Sequence, residues 1–277
     1  MRTMAHHDPK KRRLAIIGTV LAVAMGAFFL SIPLLSGVLA RFVPNSVTDR
    51  IGSELIESVG DKASFCTEQK GLAALDDLVQ KLARAADHDV PFRVYVVKDD
   101  VLNAFAAPGG YVVIYDEIIT NAADPNELAG VLAHEMSHEL ADHPNKGVVQ
   151  ALGYGVFSLL LPGGGDMGAE LGRTVVDSKF SRDDELEADR KGVELLNAAG
   201  IDSRGLARFF DTMAAKGGNV PGALEFISSH PTGEHRQSAL KDLEKEGAPA
   251  LDAAQWNALR EVCKITDKTP KPVGTAK

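Results

Sequence analysis

The hydrophobic residues of the chain follow two different patterns. From Leu14 to Ala40 no residue carries a charge, and a helix of that length reaches roughly 40 Å, more than the hydrocarbon core of a bilayer. Beyond residue 44 the apolar positions are mixed with polar ones. One stretch there has apolar residues three and four positions apart and predicts an amphipathic helix, with its apolar face at Leu72, Leu75, Leu78, Val79 and Leu82.

Two short segments have the alternating pattern of strands, Phe92 to Val96 and Tyr111 to Tyr115. Pro108-Gly109-Gly110 lies between them and predicts a turn that lets the second strand pair back. Several other segments have helical periodicity. The sequence therefore predicts an α+β fold, in which an N-terminal transmembrane helix precedes a mainly helical domain with a small antiparallel sheet.

The long apolar segment is preceded by Lys10, Lys11, Arg12 and Arg13. This basic flank predicts a cytoplasmic N-terminus, with everything after Arg41 across the membrane. A cleaved signal peptide and a buried helix are the alternatives, but the segment is much longer than the apolar part of a signal peptide. We expect a basic N-terminus (1–13), an anchor (14–40), a domain (41–265) and a flexible tail (266–277).

Charge and cysteine content narrow the class of protein. The formal net charge is −8, and nucleic-acid binding requires a basic surface, so nucleic acid is excluded as a partner. The chain has two cysteines, Cys66 and Cys263, which are too few for a disulfide scaffold. They form either one disulfide in an oxidising compartment or two free thiols.

The most informative motif is His134-Glu135-Met136-Ser137-His138. Asp124 before Pro125 predicts the N-cap of the helix that carries it. Histidines four residues apart lie on one face of a helix, where both imidazoles can bind a single metal ion. Glu135 lies beside that face and can accept a proton from water on the metal, which is the pattern of zinc hydrolases.

A catalytic zinc ion needs a third protein ligand and an open position for water. The candidate ligand lies on an acidic segment that contains Glu185, Glu187 and Asp189. Glu185 and Glu187 are about 200° apart around a helix, so only one of them can face the metal. Asp189 shares the face of Glu185 and can hold a ligand imidazole through its free N–H. We therefore expect Glu185 to be the ligand.

These motifs closely resemble those of the membrane-associated zinc metallopeptidases that include HtpX, the CAAX prenyl proteases and the Oma-type quality-control proteases. The resemblance covers about residues 70–240 and implies a zincin-type metallopeptidase domain. It implies that His134, His138 and Glu185 bind one Zn²⁺ and that Glu135 is the general base. It also implies an edge strand that pairs with an extended peptide substrate, formed by Asn103, Ala104, Phe105 and Ala106.

A second element of the same family resembles the segment from Ser229 to Arg236. By this resemblance His230 either polarises the scissile carbonyl or binds zinc as a fourth, inhibitory ligand, and Arg236 stabilises the oxyanion. Alternatively, His230 is only a turn residue before Pro231. His143 has a weaker claim to a role, because at five residues beyond His138 it is rotated away from the metal-binding face.

The family placement is narrowed by the single long apolar segment, since HtpX and the CAAX enzymes have several. The segment from Gly147 to Leu161 is too short to span a bilayer. It either packs within the domain, which we favour, or dips into the bilayer surface. Prenylated substrates are therefore not expected.

Together these features predict a zinc endopeptidase anchored by one helix in the bacterial inner membrane, with its catalytic domain on the periplasmic side. Its expected substrates are peptides and unfolded or misassembled proteins, and a regulatory protein partner is compatible with the pattern. The alternative is a zinc-containing chaperone that binds client proteins without cutting them. Such a structural zinc site would be closed by four protein ligands.

Overall fold

The computed structural model describes residues 9–86, 91–158, 180–216, 226, 230 and 240–274. Nine helices are described: α1 (Pro9–Ala40), α2 (Asn45–Lys62), α3 (Gln69–Ala86), α4 (Asp116–Asn121), α5 (Pro125–Leu140), α6 (His143–Ser158), α7 (Arg182–Ala198), α8 (Gly205–Lys216) and α9 (Ala253–Leu259). The described strands are β1 (Ser64–Cys66), β2 (Arg93–Lys98), β3 (Ala104–Ala107), β4 (Tyr111–Tyr115) and β5 (Thr266–Asp267).

The predicted α+β class is confirmed, but the sheet is mixed rather than antiparallel. Its strand order is β3-β4-β2-β1-β5. The two strands recognised from sequence, β2 and β4, are parallel, with Arg93 opposite Tyr111 and Val97 opposite Tyr115. The prediction was wrong because the chain between them forms another strand, β3, and the turn at Gly109 and Gly110 joins β3 to β4 as an antiparallel hairpin. Both glycines have positive φ angles, which glycine adopts without strain.

The sheet has an apolar core on each face because successive side chains of a strand point to opposite sides. On one face, Val94, Val96, Val112 and Ile114 pack with α3, α5 and α8 in the main core. On the other face, a smaller cluster joins the sheet to α2, with members Leu55, Ile56, Phe65, Tyr95, Val97, Tyr111 and Val113. The main core thus fixes the metal-motif helix α5 directly against the sheet.

The end of the chain does not form the predicted flexible tail, as far as the structure describes it. Strand β5 pairs with β1, and Val273 exchanges backbone hydrogen bonds with Val94 at 2.8 and 2.9 Å. The backbone N–H of Gly274 donates to Asp76 at 2.7 Å. A Lys- and Pro-rich composition misled the prediction because these backbone bonds depend little on side-chain type. Cys263, just before this segment, forms a disulfide with Cys66. Of the two alternatives left open by the sequence, one disulfide or two free thiols, the structure therefore has the disulfide.

One helix among the described residues is long and apolar enough to cross a membrane, and it runs from Lys10 to Ala40. Helix α6 packs along its second half. Gln150 donates to the hydroxyl of Ser36 at 3.0 Å, and the backbone of Gly153 lies against Ile32. The segment from Gly147 is therefore buried only in part within the domain and continues along α1, with Leu152 exposed. Its last three residues, 159–161, lie outside the described part.

Candidate active site

Helix α5 begins where the sequence predicts. The Asp124 carboxylate accepts hydrogen bonds from the N–H groups of Asn126 and Glu127 at 2.8 and 3.0 Å, and Pro125 occupies the first turn. The Glu127 carboxylate in turn accepts from the N–H of Ala123 at 2.8 Å. These bonds satisfy donors that a helix N-terminus otherwise leaves free. Every residue from Glu127 to Glu139 is buried, so the metal motif lies inside the domain.

Helix α7 delivers the acidic residues to the same place. It begins with a capping box, in which Ser181 and Asp184 bond each other's backbone N–H groups. Further along, Gly192 faces the α5 backbone, and a Cβ atom there would lie 3.2 Å from the backbone nitrogen of His134. The missing side chain lets the two helices approach closely enough for Glu185 to reach the histidines.

Four buried side chains place one ligand atom each within 4.8 Å of one another: His134, His138, Glu185 and His230. The Nε2 atoms of His134 and His138 are 3.1 Å apart. Glu185 oxygens lie 3.6 Å from His134 Nε2 and 3.4 Å from His138 Nε2. His230 Nδ1 lies 3.2 Å from His134 Nε2 and also 3.2 Å from a Glu185 oxygen.

These distances are of the size expected between ligand atoms around one metal ion. Metal–ligand bonds of about 2.0–2.1 Å place tetrahedral ligand atoms roughly 3.3 Å apart, and three imidazoles with one carboxylate are a donor set that zinc accepts. Burial lowers the pKa of His138 to about 3, so this imidazole is neutral and able to act as a ligand. Burial opposes ionisation of Glu185, but hydrogen bonds from His138 and His230 hold its pKa well below the ordinary value.

Asp189 lies on the far side of His134. Its carboxylate is 2.9 Å from His134 Nδ1, and both side chains are almost fully buried. An imidazole that donates its Nδ1 proton to a carboxylate presents an unprotonated Nε2 to a metal. The structure thus brings Asp189 to the position expected from sequence, while Glu187 points away from the ligand group with its side chain 44% exposed.

Glu135 is completely buried beside this group. Neither of its carboxylate oxygens forms a hydrogen bond with the described residues, and one of them lies 3.6 Å from His230 Nε2. Burial raises the pKa of Glu135, whereas His230, His134 and the backbone N–H of Ala106 act in the opposite direction. Complete burial of a carboxylate with so few polar contacts is costly, so this one calls for a chemical explanation.

The segment Asn103–Ala106 leads into the edge strand of the described sheet. β3 pairs only with β4, and Asn103 O accepts from Tyr115 N at 3.0 Å. In the alternating antiparallel pattern the backbone groups of Ala104 and Ala106 then point away from β4. The Ala104 N–H is bonded by the Asn103 side chain at 2.9 Å, and that of Ala106 lies near Glu135. In the part of the chain that the structure describes, no strand pairs with the other edge of β3, and this edge runs past the candidate site.

His143 is the residue that sequence reasoning missed. Its Nδ1 lies 2.9 Å from Nδ1 of His138. The prediction that it is rotated away assumed one continuous helix, but α5 ends at Leu140 and Asp142 adopts a left-handed conformation with φ of 57°. The chain therefore turns before α6 and carries His143 back to His138. Asp142 followed by Pro144 is the local signal for such a break.

The two residues of the downstream element have different outcomes. His230 is described, is buried and belongs to the group of candidate ligands. Its backbone N–H donates a hydrogen bond to the backbone oxygen of Phe226 at 2.9 Å. Arg236 lies outside the described residues. Its expected contact with the oxyanion therefore stays a prediction from sequence.

Comparison with known proteins places this site in a family context. The model of peptidase family M48 matches residues 70–244. A mitochondrial metalloendopeptidase OMA1 of Arabidopsis thaliana is 30% identical over 54% of this chain and 31% of its own length. Metalloprotease LoiP of Escherichia coli is 32% identical over 55% of this chain and 62% of its own. A beta-barrel assembly-enhancing protease of Yersinia pestis is 29% identical over 64% and 40%. The chain thus spans less than two thirds of each relative.

Proposed function

Because the chain belongs to peptidase family M48, we propose that it is a membrane-anchored zinc endopeptidase that hydrolyses peptide bonds of unfolded or misassembled proteins. The observation that carries this proposal is the buried Glu135 carboxylate beside a tetrahedral set of ligand atoms. A site built only to hold a metal has no use for a fifth ionisable group without a hydrogen bond. A hydrolase needs that group as a base.

His134, His138 and Glu185 are the proposed zinc ligands, and Asp189 orients His134. Zinc held by these residues would polarise the scissile carbonyl and lower the pKa of water. The three residues come from two helices that are fixed to each other by close packing at Gly192. Little reorganisation is therefore needed when the metal binds.

Glu135 is the proposed general base. It accepts a proton from the attacking water and passes it to the leaving amine. Its burial raises the pKa above that of an exposed glutamate, which brings the group closer to the neutral range in which a general base works best. The adjacent His230 can hydrogen-bond the same water or the oxyanion, and Arg236 is proposed to stabilise the oxyanion as well.

The substrate is proposed to bind as an added strand along β3. The outward carbonyl groups of Ala104 and Ala106 would accept hydrogen bonds from an extended peptide, a mode in which main-chain hydrogen bonds supply affinity with little side-chain preference. Only unfolded or extended segments can present a free backbone in this way. The edge lies beside Glu135, so a peptide paired with it passes the proposed base.

The location proposed for this activity is the periplasmic face of the bacterial inner membrane. The basic flank of α1 supports a cytoplasmic N-terminus by the positive-inside rule. The Cys66–Cys263 disulfide supports an oxidising compartment for the domain. α6 starts two residues after the metal-motif helix and packs on α1, which holds the site close to the bilayer and to misassembled proteins at its surface.

The experiment that tests the proposal compares the full chain with its Glu135→Gln variant in detergent micelles. An unfolded, fluorescently labelled protein serves as the substrate, and zinc is measured in both samples. We expect equal zinc content and a loss of activity of about 10²–10⁴-fold in the variant, the typical contribution of a general base. Equal cleavage by both proteins would overturn the assignment.

A zinc-containing chaperone is the second candidate, and one observation favours it. His230 lies at ligand distance, so the described site offers four candidate protein ligands, the number that structural zinc sites use. If His230 instead closes a resting enzyme, His230→Ala retains zinc through the other three ligands and exposes a position for water. Zinc retention with cleavage supports the enzyme, whereas loss of zinc with unchanged client binding supports the chaperone.

A further inference from the structure

His138 and His143 form a direct contact between two imidazoles. Their Nδ1 atoms are 2.9 Å apart, and their side chains are 0% and 2% exposed. A hydrogen bond between two ring nitrogens requires that one carries a proton and the other does not. One of the two residues is therefore the donor and the other the acceptor. The role of His138 at the metal site determines which residue donates.

His138 turns its other nitrogen, Nε2, into the ligand group, 3.1 Å from His134 Nε2 and 3.4 Å from a Glu185 oxygen. A nitrogen that binds a metal cannot carry a proton. A neutral His138 must then carry its single proton on Nδ1 and donate it to His143. His143 in turn accepts at Nδ1 and carries its own proton on Nε2.

The Nε2 atom of His143 faces two carboxylates of α7. It lies 3.4 Å from an oxygen of Asp184 and 3.5 Å from an oxygen of Glu187. Asp184 is held in place by Lys146 of α6 and by the Ser181 hydroxyl at 2.6 Å. His143 thus lies between His138 and a fixed carboxylate, with its Nε2 at ion-pair distance from Asp184 rather than in a hydrogen bond.

The two histidines of the metal motif are therefore oriented differently. His134 Nδ1 lies 2.9 Å from an Asp189 oxygen, whereas a second imidazole, His143, lies between His138 and the nearest carboxylates. The Phe180 ring also stacks on His138, with ring centroids 4.0 Å apart and planes 20° apart. Stacking restricts the tilt of the ring, but it does not select the nitrogen that carries the proton.

We propose that His143 is a positioning residue that selects the tautomer and orientation of His138 and relays the influence of Asp184 to the metal site. This inference rests on the proposed zinc site. Outer partners of this kind typically change metal affinity by 10–100-fold when removed. His143 is almost fully buried and contacts His138, so its main expected effect is on metal binding.

The test uses two variants of the full chain with opposite expectations. His143→Leu fills the same volume without an acceptor, while His143→Asn keeps an oxygen at the position of Nδ1. Zinc affinity is measured by competition with a chromophoric chelator, and the melting temperature of the metal-free protein is recorded. We expect His143→Leu to weaken zinc binding about 10–100-fold, and His143→Asn to recover most of that loss.

A role in packing alone predicts different results. Equal zinc affinity in His143→Leu and wild type, or equal losses in both variants, would overturn the proposal. If His143→Leu does not fold, the tautomers of the zinc-loaded wild type decide, by nitrogen NMR of the imidazoles. We expect the His143 proton on Nε2, and a proton on its Nδ1 would overturn the proposal. Failure of wild type to bind zinc would instead refute the proposed function.

Discussion

Helices α1 and α5 reverse the usual relation between polarity and burial in opposite ways. α1 exposes large apolar side chains along its length, among them Leu14, Leu21, Leu30 and Leu34, each at least 60% exposed. α5 buries ionisable side chains, namely Glu127, His134, Glu135, His138 and Glu139. Each reversal is unfavourable for a protein in water alone. The proposal supplies a partner for each, a lipid bilayer for α1 and a metal ion for α5.

The comparison also separates two kinds of compensation within α5. Glu127 is satisfied by the chain itself, through Ala123 N–H and the Thr212 hydroxyl at 2.9 Å. His134 and His138 instead lie in the group of four side chains within ligand distance of one another, with Glu135 beside it. The first kind of buried polar residue stabilises the fold, and the second is typical of a functional site.

The strongest test of the proposal that α5 helps to bind a metal ion removes one of the proposed ligands. Glu185→Ala should weaken zinc binding and abolish cleavage, because it removes the carboxylate ligand and leaves the imidazoles of His134, His138 and His230 within ligand distance. Glu194→Ala is the matched control on the same helix, since that side chain is half exposed and pairs only with Arg190 among the residues described. Zinc content and turnover are measured on both proteins. Full zinc occupancy in Glu185→Ala would remove Glu185 from the site.

The proposal that α1 lies in a lipid bilayer is tested by introducing a charged residue at the middle of the helix. Val23 is 65% exposed, and an arginine at the centre of a membrane helix costs about 2.5–3.5 kcal/mol of insertion free energy. Val23→Arg should shift part of the protein from the membrane to the soluble fraction after alkaline extraction, whereas Val23→Leu should not. An unchanged membrane fraction in Val23→Arg would argue that lipid does not surround α1.

A smaller effect is expected at Glu139, which is buried next to the site without facing the metal. Its carboxylate accepts from Gly110 N–H at 3.0 Å, yet burial raises its pKa to about 7. The folded state therefore binds a proton more tightly than the unfolded state. Its contribution to stability is full below pH 4.5 and is lost as the pH rises to about 7.

The measurement at Glu139 is the free energy of unfolding of metal-free protein between pH 5 and 8. Wild type should lose up to about 3 kcal/mol over this range through this group. Glu139→Gln keeps an acceptor for Gly110 and should lose correspondingly less. Parallel pH profiles for the two proteins would show that Glu139 carries no such shift.

Local signals in the sequence were sufficient to predict much of the fold and of the candidate site. The start of α5 follows from Asp124 and Pro125, whose effects are confined to one helical turn. The choice of Glu185 over Glu187 follows from helix geometry together with the shared face of Glu185 and Asp189, and the structure brings Glu185 to the histidines. The strand at Tyr111–Tyr115 was predicted with its observed bounds.

Features that depend on distant pairing were not accessible in this way. Whether β4 pairs in parallel with β2 depends on where β3 lies, and alternation within one strand contains no such information. The regular structure at the end of the chain follows from backbone hydrogen bonds to β1 and to Val94. The role of His143 required the break at Asp142, which rotates the following helix. Each missed feature is set by contacts between segments rather than by local propensity.

The most direct test of the central claim is a metal titration of the full-length chain. Zinc is removed with a chelator, the chelator is dialysed away, and zinc is added back in steps while cleavage of an unfolded protein is followed. The account predicts no cleavage without metal and a rise that saturates at one zinc ion per chain. Cleavage by the metal-free protein, or no cleavage at full zinc occupancy in both wild type and His230→Ala, would contradict it.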